Sequence, residues 1–134
     1  MANSLVTNVL LEGSRNMIVS LAGVADTNDV PVTPVFTLAS LKGNTLPNLF
    51  VGFKVKKIQY TGTPGLVLQL AWNSDSPQPI ADLSTNALLE FPGDLAPNTS
   101  ISGFDGTIIV SSRGFTPGYV YAFTCNLYLT KMYV

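Results

Sequence analysis

The chain has 134 residues, of which 46% are hydrophobic and only 11% charged, with a net charge of −1. That length suits one domain with a real core. Near-neutral charge without a basic stripe excludes non-specific nucleic-acid binding, and no apolar run reaches the ~18 residues needed to span a bilayer as a helix. So few charges leave a surface of Ser, Thr, Asn, Gly and apolar atoms, the kind that assembly with a partner covers.

Leu5 to Glu12 is an apolar stretch that reads as an edge strand or as an arm docking on a neighbour. After Gly13-Ser14, Arg15 to Val24 is a strand with Met17, Val19 and Leu21 on one face. Asp26-Thr27-Asn28-Asp29 is a turn of residues that bond their own backbone. Val30 to Leu38 contains Pro31 and Pro34, so it is extended but not a central strand. Lys42-Gly43-Asn44 and Leu46-Pro47-Asn48 form a loop. Leu49 to Thr61 is a strong strand whose apolar phase slips from odd (Val51, Phe53, Val55) to even (Ile58, Tyr60), which predicts a β-bulge at Lys56-Lys57. Beyond the turn Gly62-Thr63-Pro64-Gly65, Leu66 to Trp72 places Leu66, Leu68, Leu70 and Trp72 on one face, and the two strands read as a hairpin.

Asn73 to Pro79 is a polar loop. Ile80 to Phe91 reads as a short helical turn before a strand at Ala87–Phe91, and Pro92 to Ser102 as loop. Gly103 to Ser112 leads into the turn Arg113–Gly118. The final run from Tyr119 carries Tyr121, Phe123, Cys125, Leu127 and Leu129 in one phase, so the C-terminus reads as a hairpin. About 15 residues at ~3.4 Å each is about 50 Å, so the last strand is expected to bend between sheets or to pair with a second subunit. Seven or eight strands with turns every 8–12 residues, and no ten-residue amphipathic helix, define an all-β chain. The expected fold is a two-sheet antiparallel β-sandwich, jelly-roll-like, with a long C-terminal strand, forming a single domain over residues 1–134 in which 1–11 is an arm or edge strand.

Chemistry is sparse. The chain has no histidine, which removes the commonest general base and metal ligand and any Ser-His-Asp or Cys-His site within one chain. Glu12, Asp26, Asp29, Asp75, Asp82, Glu90, Asp94 and Asp105 sit mostly beside turn residues, which points to capping rather than to a catalytic pair. Asp26–Asp29 is the best calcium candidate but lacks EF-hand spacing. Gly103-Phe104-Asp105-Gly106 lacks the lysine and helix of a phosphate loop. Cys125, the single cysteine, falls on the apolar face and reads as a small buried hydrophobe. Lys54-Val55-Lys56-Lys57 is either a patch for an acidic partner or a charged strand edge that blocks aggregation. Trp72 with a tyrosine would make a sugar platform if exposed, although its three leucine neighbours favour the core. Asn98-Thr99-Ser100 matches a glycosylation acceptor, and with no secretion signal at Met1–Leu5 the chain is expected to be made and assembled in a cytoplasm. No enzyme, cofactor or metal is expected.

Glu12-Gly13-Ser14-Arg15-Asn16, Gly23-Val24, Asp26-Thr27, Lys57-Ile58-Gln59-Tyr60, Leu70-Ala71-Trp72, Gly103-Phe104-Asp105-Gly106-Thr107-Ile108, Ser112-Arg113-Gly114-Phe115 and Leu127-Tyr128-Leu129-Thr130-Lys131, in that order, resemble a family of small tailed-phage virion proteins. The likeness runs from Glu12 to Lys131, with Asn73 where such proteins often carry Asp after the Trp. It implies a virion structural protein: a capsid decoration (cement) protein bound to the major capsid protein on the capsid surface, or otherwise a neck or tail component. It carries no catalytic residues. A homo-oligomer, dimer or trimer, is expected. Leu5, Val6, Val9 and Leu10 near the N-terminus and Tyr128, Met132, Tyr133 and Val134 near the C-terminus, apolar and not needed to fill the core, are the expected contact residues. From another class, a small carbohydrate-binding module would need Trp72 and a tyrosine exposed and coplanar.

Overall fold

The computed structural model describes residues 3–13, 15–35 and 50–133. Among these are nine strands: β1 (Ser4–Glu12), β2 (Asn16–Ala25), β3 (Thr33–Pro34), β4 (Phe50–Gly62), β5 (Val67–Trp72), β6 (Gln78–Leu83), β7 (Asn86–Leu95), β8 (Ile108–Arg113) and β9 (Tyr121–Tyr133). They form a five-stranded sheet in the order β1-β2-β9-β4-β7 and a four-stranded sheet in the order β3-β8-β5-β6, with every pairing antiparallel. Without β1, these are the two interleaved four-stranded sheets of a jelly roll. The expected β-sandwich with jelly-roll order is therefore the fold, and β1 is an added edge strand rather than a detached arm.

Period-two patterning builds the core. Met17, Val19 and Leu21 of β2, Phe53, Val55, Ile58 and Tyr60 of β4, and Phe123, Cys125, Leu127 and Leu129 of β9 are buried on the inner side of the five-stranded sheet. Leu68, Leu70 and Trp72 of β5, with Leu66 just before it, and Ile108 and Val110 of β8 are buried with them in one cluster. The predicted bulge is present: Val55 pairs with Leu129 and Lys57 with Tyr128, so Lys56 is the extra residue that moves the apolar phase of β4 from odd to even. Pro31 precedes and Pro34 ends a two-residue strand at a sheet edge, where proline is tolerated.

Both expected hairpins are replaced by arches. β4 and β5 lie in different sheets, as do β8 and β9. Alternation tells which side of a strand is apolar but not which strand lies at its edge; here consecutive strands meet face to face across the core. The link after β4 is held by Thr63 N–H donating to the Ala122 carbonyl at 2.9 Å. It also passes close to the link after β8. Gly114 has φ +91°, and a Cβ there would stand 2.7 Å from the Gly65 carbonyl oxygen, so a side chain at 114 is excluded twice over. β9 neither bends into the other sheet nor needs a second subunit. Its 13 residues are the middle strand, paired along their length by β2 on one side and β4 on the other.

Two further readings are corrected. No helical turn precedes β7. Gln78 to Leu83 is a strand of the four-stranded sheet, and the chain crosses to the other sheet at Ser84-Thr85, with Thr85 at φ 58°. Pro92-Gly93-Asp94, read as loop, lies within β7. Four residues, 91–94, bulge opposite Lys56 between the pairs Lys57–Glu90 and Val55–Leu95, with Gly93 and Asp94 at positive φ. The strand tolerates Pro92 because it is bulged and at a sheet edge. The predicted loop at residues 42–48 lies outside the described residues.

Candidate contact surface

The groups that carry chemistry elsewhere are engaged structurally here. The Asp29 carboxylate accepts from Ser112 Oγ and from Phe115 N–H, both at 3.1 Å, which occupies one oxygen of the calcium candidate. Asp75 accepts from Ser102 Oγ, Asp94 from Thr130 Oγ1, and Asp82 meets Arg113 in an exposed pair at 3.4 Å. Burial on its own would raise Asp105, but hydrogen bonds from the Thr107 hydroxyl and N–H and from Asn73 outweigh it and hold the carboxyl below its usual value. Among the described residues, no group of three or more His, Cys, Asp or Glu side chains is placed to hold a metal ion.

Burial pushes the Cys125 thiol up to about 12, and burial together with the neighbouring Cys125 also raises Tyr60. Both groups hold their protons more tightly folded than unfolded. Their contribution to stability is complete below about pH 9, where an unfolded thiol begins to ionise, and it falls as pH rises towards 12. The native chain should therefore resist iodoacetamide at pH 8 and react only once unfolded. Its denaturation midpoint should drop between pH 9 and 12, and alkylation of the native thiol at the rate of a free cysteine would contradict the buried site.

Trp72 is 2% exposed, and its indole N–H donates to the Phe53 carbonyl at 3.0 Å. It is a core residue and presents no platform to a sugar. The Lys54–Lys57 cluster is not a strand edge, because β4 lies between β9 and β7. Lys57 Nζ sits 5.0 Å above the Tyr128 ring and Lys56 Nζ donates to Asn16 at 3.1 Å, so these cations lie along the outer side of the sheet.

That outer side is the most distinctive surface. Three rows of cross-strand neighbours span all five strands: Leu11, Ile18, Tyr128, Lys57 and Glu90; then Asn8, Ser20, Asn126, Gln59 and Leu88; then Val6, Ala22, Thr124, Thr61 and Asn86. None of the fifteen is buried, and the only charges are Lys57 and Glu90, which oppose one another. With strands ~4.8 Å apart and same-face residues ~7 Å apart, the patch is about 19 by 14 Å. Apart from Lys57 and Glu90 its side chains are uncharged, so another surface can approach most of it without removing water from a charge.

The expected contact residues divide over this geometry. Val6 and Tyr128 lie in the rows of the outer face, and Met132, in the same phase of β9, is half-buried. Leu5 and Val9 pair with Gly23 and Val19 and so turn to the inner side of β1, where Leu5 packs on the core while Val9 stays 45% exposed. Leu10 is the bulged residue of β1 and is 61% exposed. Tyr133 ends β9, and Val134 lies outside the described residues. Sequence reasoning missed Leu11, Ile18 and the middle row, whose signal was the even phase of β2 and β9. It also missed an ion pair within the sandwich: Lys131 Nζ meets Glu12 Oε2 at 2.9 Å with the lysine side chain wholly buried.

No family model matches this chain, and no curated protein does. Among solved structures, one described as "CBM4 structure and function" covers 95% of this chain and 94% of its own at 9% identity and a TM-score of 0.32. A likeness that slight carries no functional argument.

Proposed function

We propose that this chain is a non-enzymatic structural protein of a tailed-phage virion, a decoration protein that lies on the outer capsid shell and bridges neighbouring copies of the major capsid protein. The observation that carries the reading is the three-row patch on the outer side of the five-stranded sheet, whose only charges are Lys57 and Glu90 and on which Val6, Leu11, Ile18 and Tyr128 are accessible. The family resemblance of its turn and strand residues supplies the context, and jelly rolls serve as capsid domains elsewhere. Lying flat on a shell would cover this face. Several hundred Å² of apolar burial at ~25 cal/mol per Å² is a gross gain on the order of 5–10 kcal/mol per copy. Association costs of about 4–15 kcal/mol consume much of that, so a protein of this kind gains from engaging several shell subunits at once, as a dimer or trimer. In this reading the protein sits on the capsid surface, needs no cofactor, and touches neither nucleic acid nor membrane.

Quantitative mass spectrometry of purified virions, normalised to the major shell protein, tests the proposal. A copy number in the hundreds, comparable to the shell protein, is expected. A dozen or so copies would move the chain to the neck or tail, and absence from particles would overturn the virion role.

A further inference from the structure

The sandwich has four sheet edges, and three are visibly protected against pairing with another strand. β3 is two residues long and ends in Pro34, β6 carries Pro79 and Asp82, and β7 carries the bulge with Pro92 and Asp94. Proline, charge, brevity and bulging are the devices by which edge strands avoid recruiting a partner. β1 has little of this. From Ser4 to Leu11 it holds neither proline nor charge, it pairs on one side with β2, and among the described residues no strand pairs with its other side. Val6 is 53% exposed and Val9 45%. Its single irregularity, at Leu10, falls near the end and leaves Ser4 to Val9 regular.

We propose that β1 pairs antiparallel with β1 of a second copy of this chain, joining two five-stranded sheets into one of ten strands. A second copy is the occupant that the edge itself specifies. Two uncharged strands meet without like-charge repulsion, and the twofold axis of an antiparallel pair stands perpendicular to the sheet, so inner residues oppose inner residues and outer oppose outer. With Thr7 on that axis, Leu5 faces Val9 of the other copy twice over on the inner side, apolar against apolar, and Thr7 faces Thr7, a favourable cross-strand pair. The same axis keeps both outer faces on one side of the dimer. If the shell-binding reading holds, the dimer therefore presents a doubled face to the shell; the pairing itself does not depend on that reading.

The test uses the purified chain in solution, so its outcome is separate from any virion copy number. Analytical ultracentrifugation of the wild type should give twice the 14.3 kDa of one chain. Val9→Lys, which sets a lysine opposite Leu5 of the other copy at an already exposed site, should give a monomer with an unchanged far-UV circular dichroism spectrum. Thr7→Cys should form an intermolecular disulfide under mild oxidation, because residues directly opposite in an antiparallel pair have Cα atoms ~4.5–5.5 Å apart, within disulfide range. Buried Cys125 does not compete for the oxidant, and Thr61→Cys, on the outer face away from the edge, is the control that should not cross-link. A wild-type monomer, a dimer that survives Val9→Lys, or failure of Thr7→Cys to cross-link each overturns the proposal.

Discussion

Trp72→Ala will lower the unfolding free energy by about 3–5 kcal/mol, a large share of the ~5–15 kcal/mol that holds a domain of this size together. Trp72 is the last inward residue of β5 and packs in the same cluster as Phe53, Leu70 and Ile108. Truncation removes the transfer energy of the ring and leaves a cavity between two sheets that cannot both collapse onto it. It also removes the indole N–H that binds Phe53 of the opposite sheet. Trp72→Phe separates the two effects: most of the ring survives while the donor is lost, so a cost of about 1–2 kcal/mol is expected. Urea denaturation followed by far-UV circular dichroism measures both. A loss under 1 kcal/mol for the alanine variant would mean that Trp72 does not wedge the sheets together. In the wild type, poor quenching of tryptophan fluorescence by acrylamide should report the same burial, because Trp72 is the only tryptophan.

The sequence showed which face of each strand is apolar, and it did so down to the phase slip at Lys56. Val55 and Ile58 are both buried only because an extra residue lies between them. It did not show which strands are neighbours. Gly62 to Gly65 and Arg113 to Gly118 have the composition of hairpin turns, yet each carries the chain across the sandwich. Both outcomes satisfy the same alternation, and packing between sheets decides between them. Pro92 and Gly93 read as breakers because local preference has no access to the bulge that accommodates them. The outer face was half legible. Its apolar members stood out at Val6 and Tyr128, whereas Asn8, Ser20, Asn126 and Gln59 look like ordinary solvent-facing residues until the register lines them up across five strands.

The least legible feature carries the second large effect. Glu12→Ala will destabilise the fold by about 3–5 kcal/mol, because it removes the carboxylate that balances a buried ammonium. In the last strand Lys131 continues the inward phase of Leu127 and Leu129, so it reads as a break in the pattern. In the structure its stem runs inside the sandwich, and its Nζ reaches across β2 to Glu12 at the end of β1. The Lys131 N–H also donates to the Arg15 carbonyl at 2.6 Å, so both its backbone and its side chain tie the chain around the β1–β2 turn to the middle strand. Removing one charge and removing both have different consequences. Without Glu12 a buried ammonium is no longer balanced by its carboxylate and its desolvation is not offset, whereas an apolar pair of similar volume fills the space without that cost. Lys131→Met should therefore cost less than Glu12→Ala, since Glu12 retains 12% side-chain exposure and can turn towards solvent. Glu12→Leu combined with Lys131→Met should return to within about 1 kcal/mol of the wild type. A double variant as unstable as the sum of the two single ones would show that the charges act independently. Because Glu12 closes β1, Glu12→Ala should also loosen the edge strand, seen as faster amide exchange at Val9 and Leu11 than at Leu127 in the middle strand.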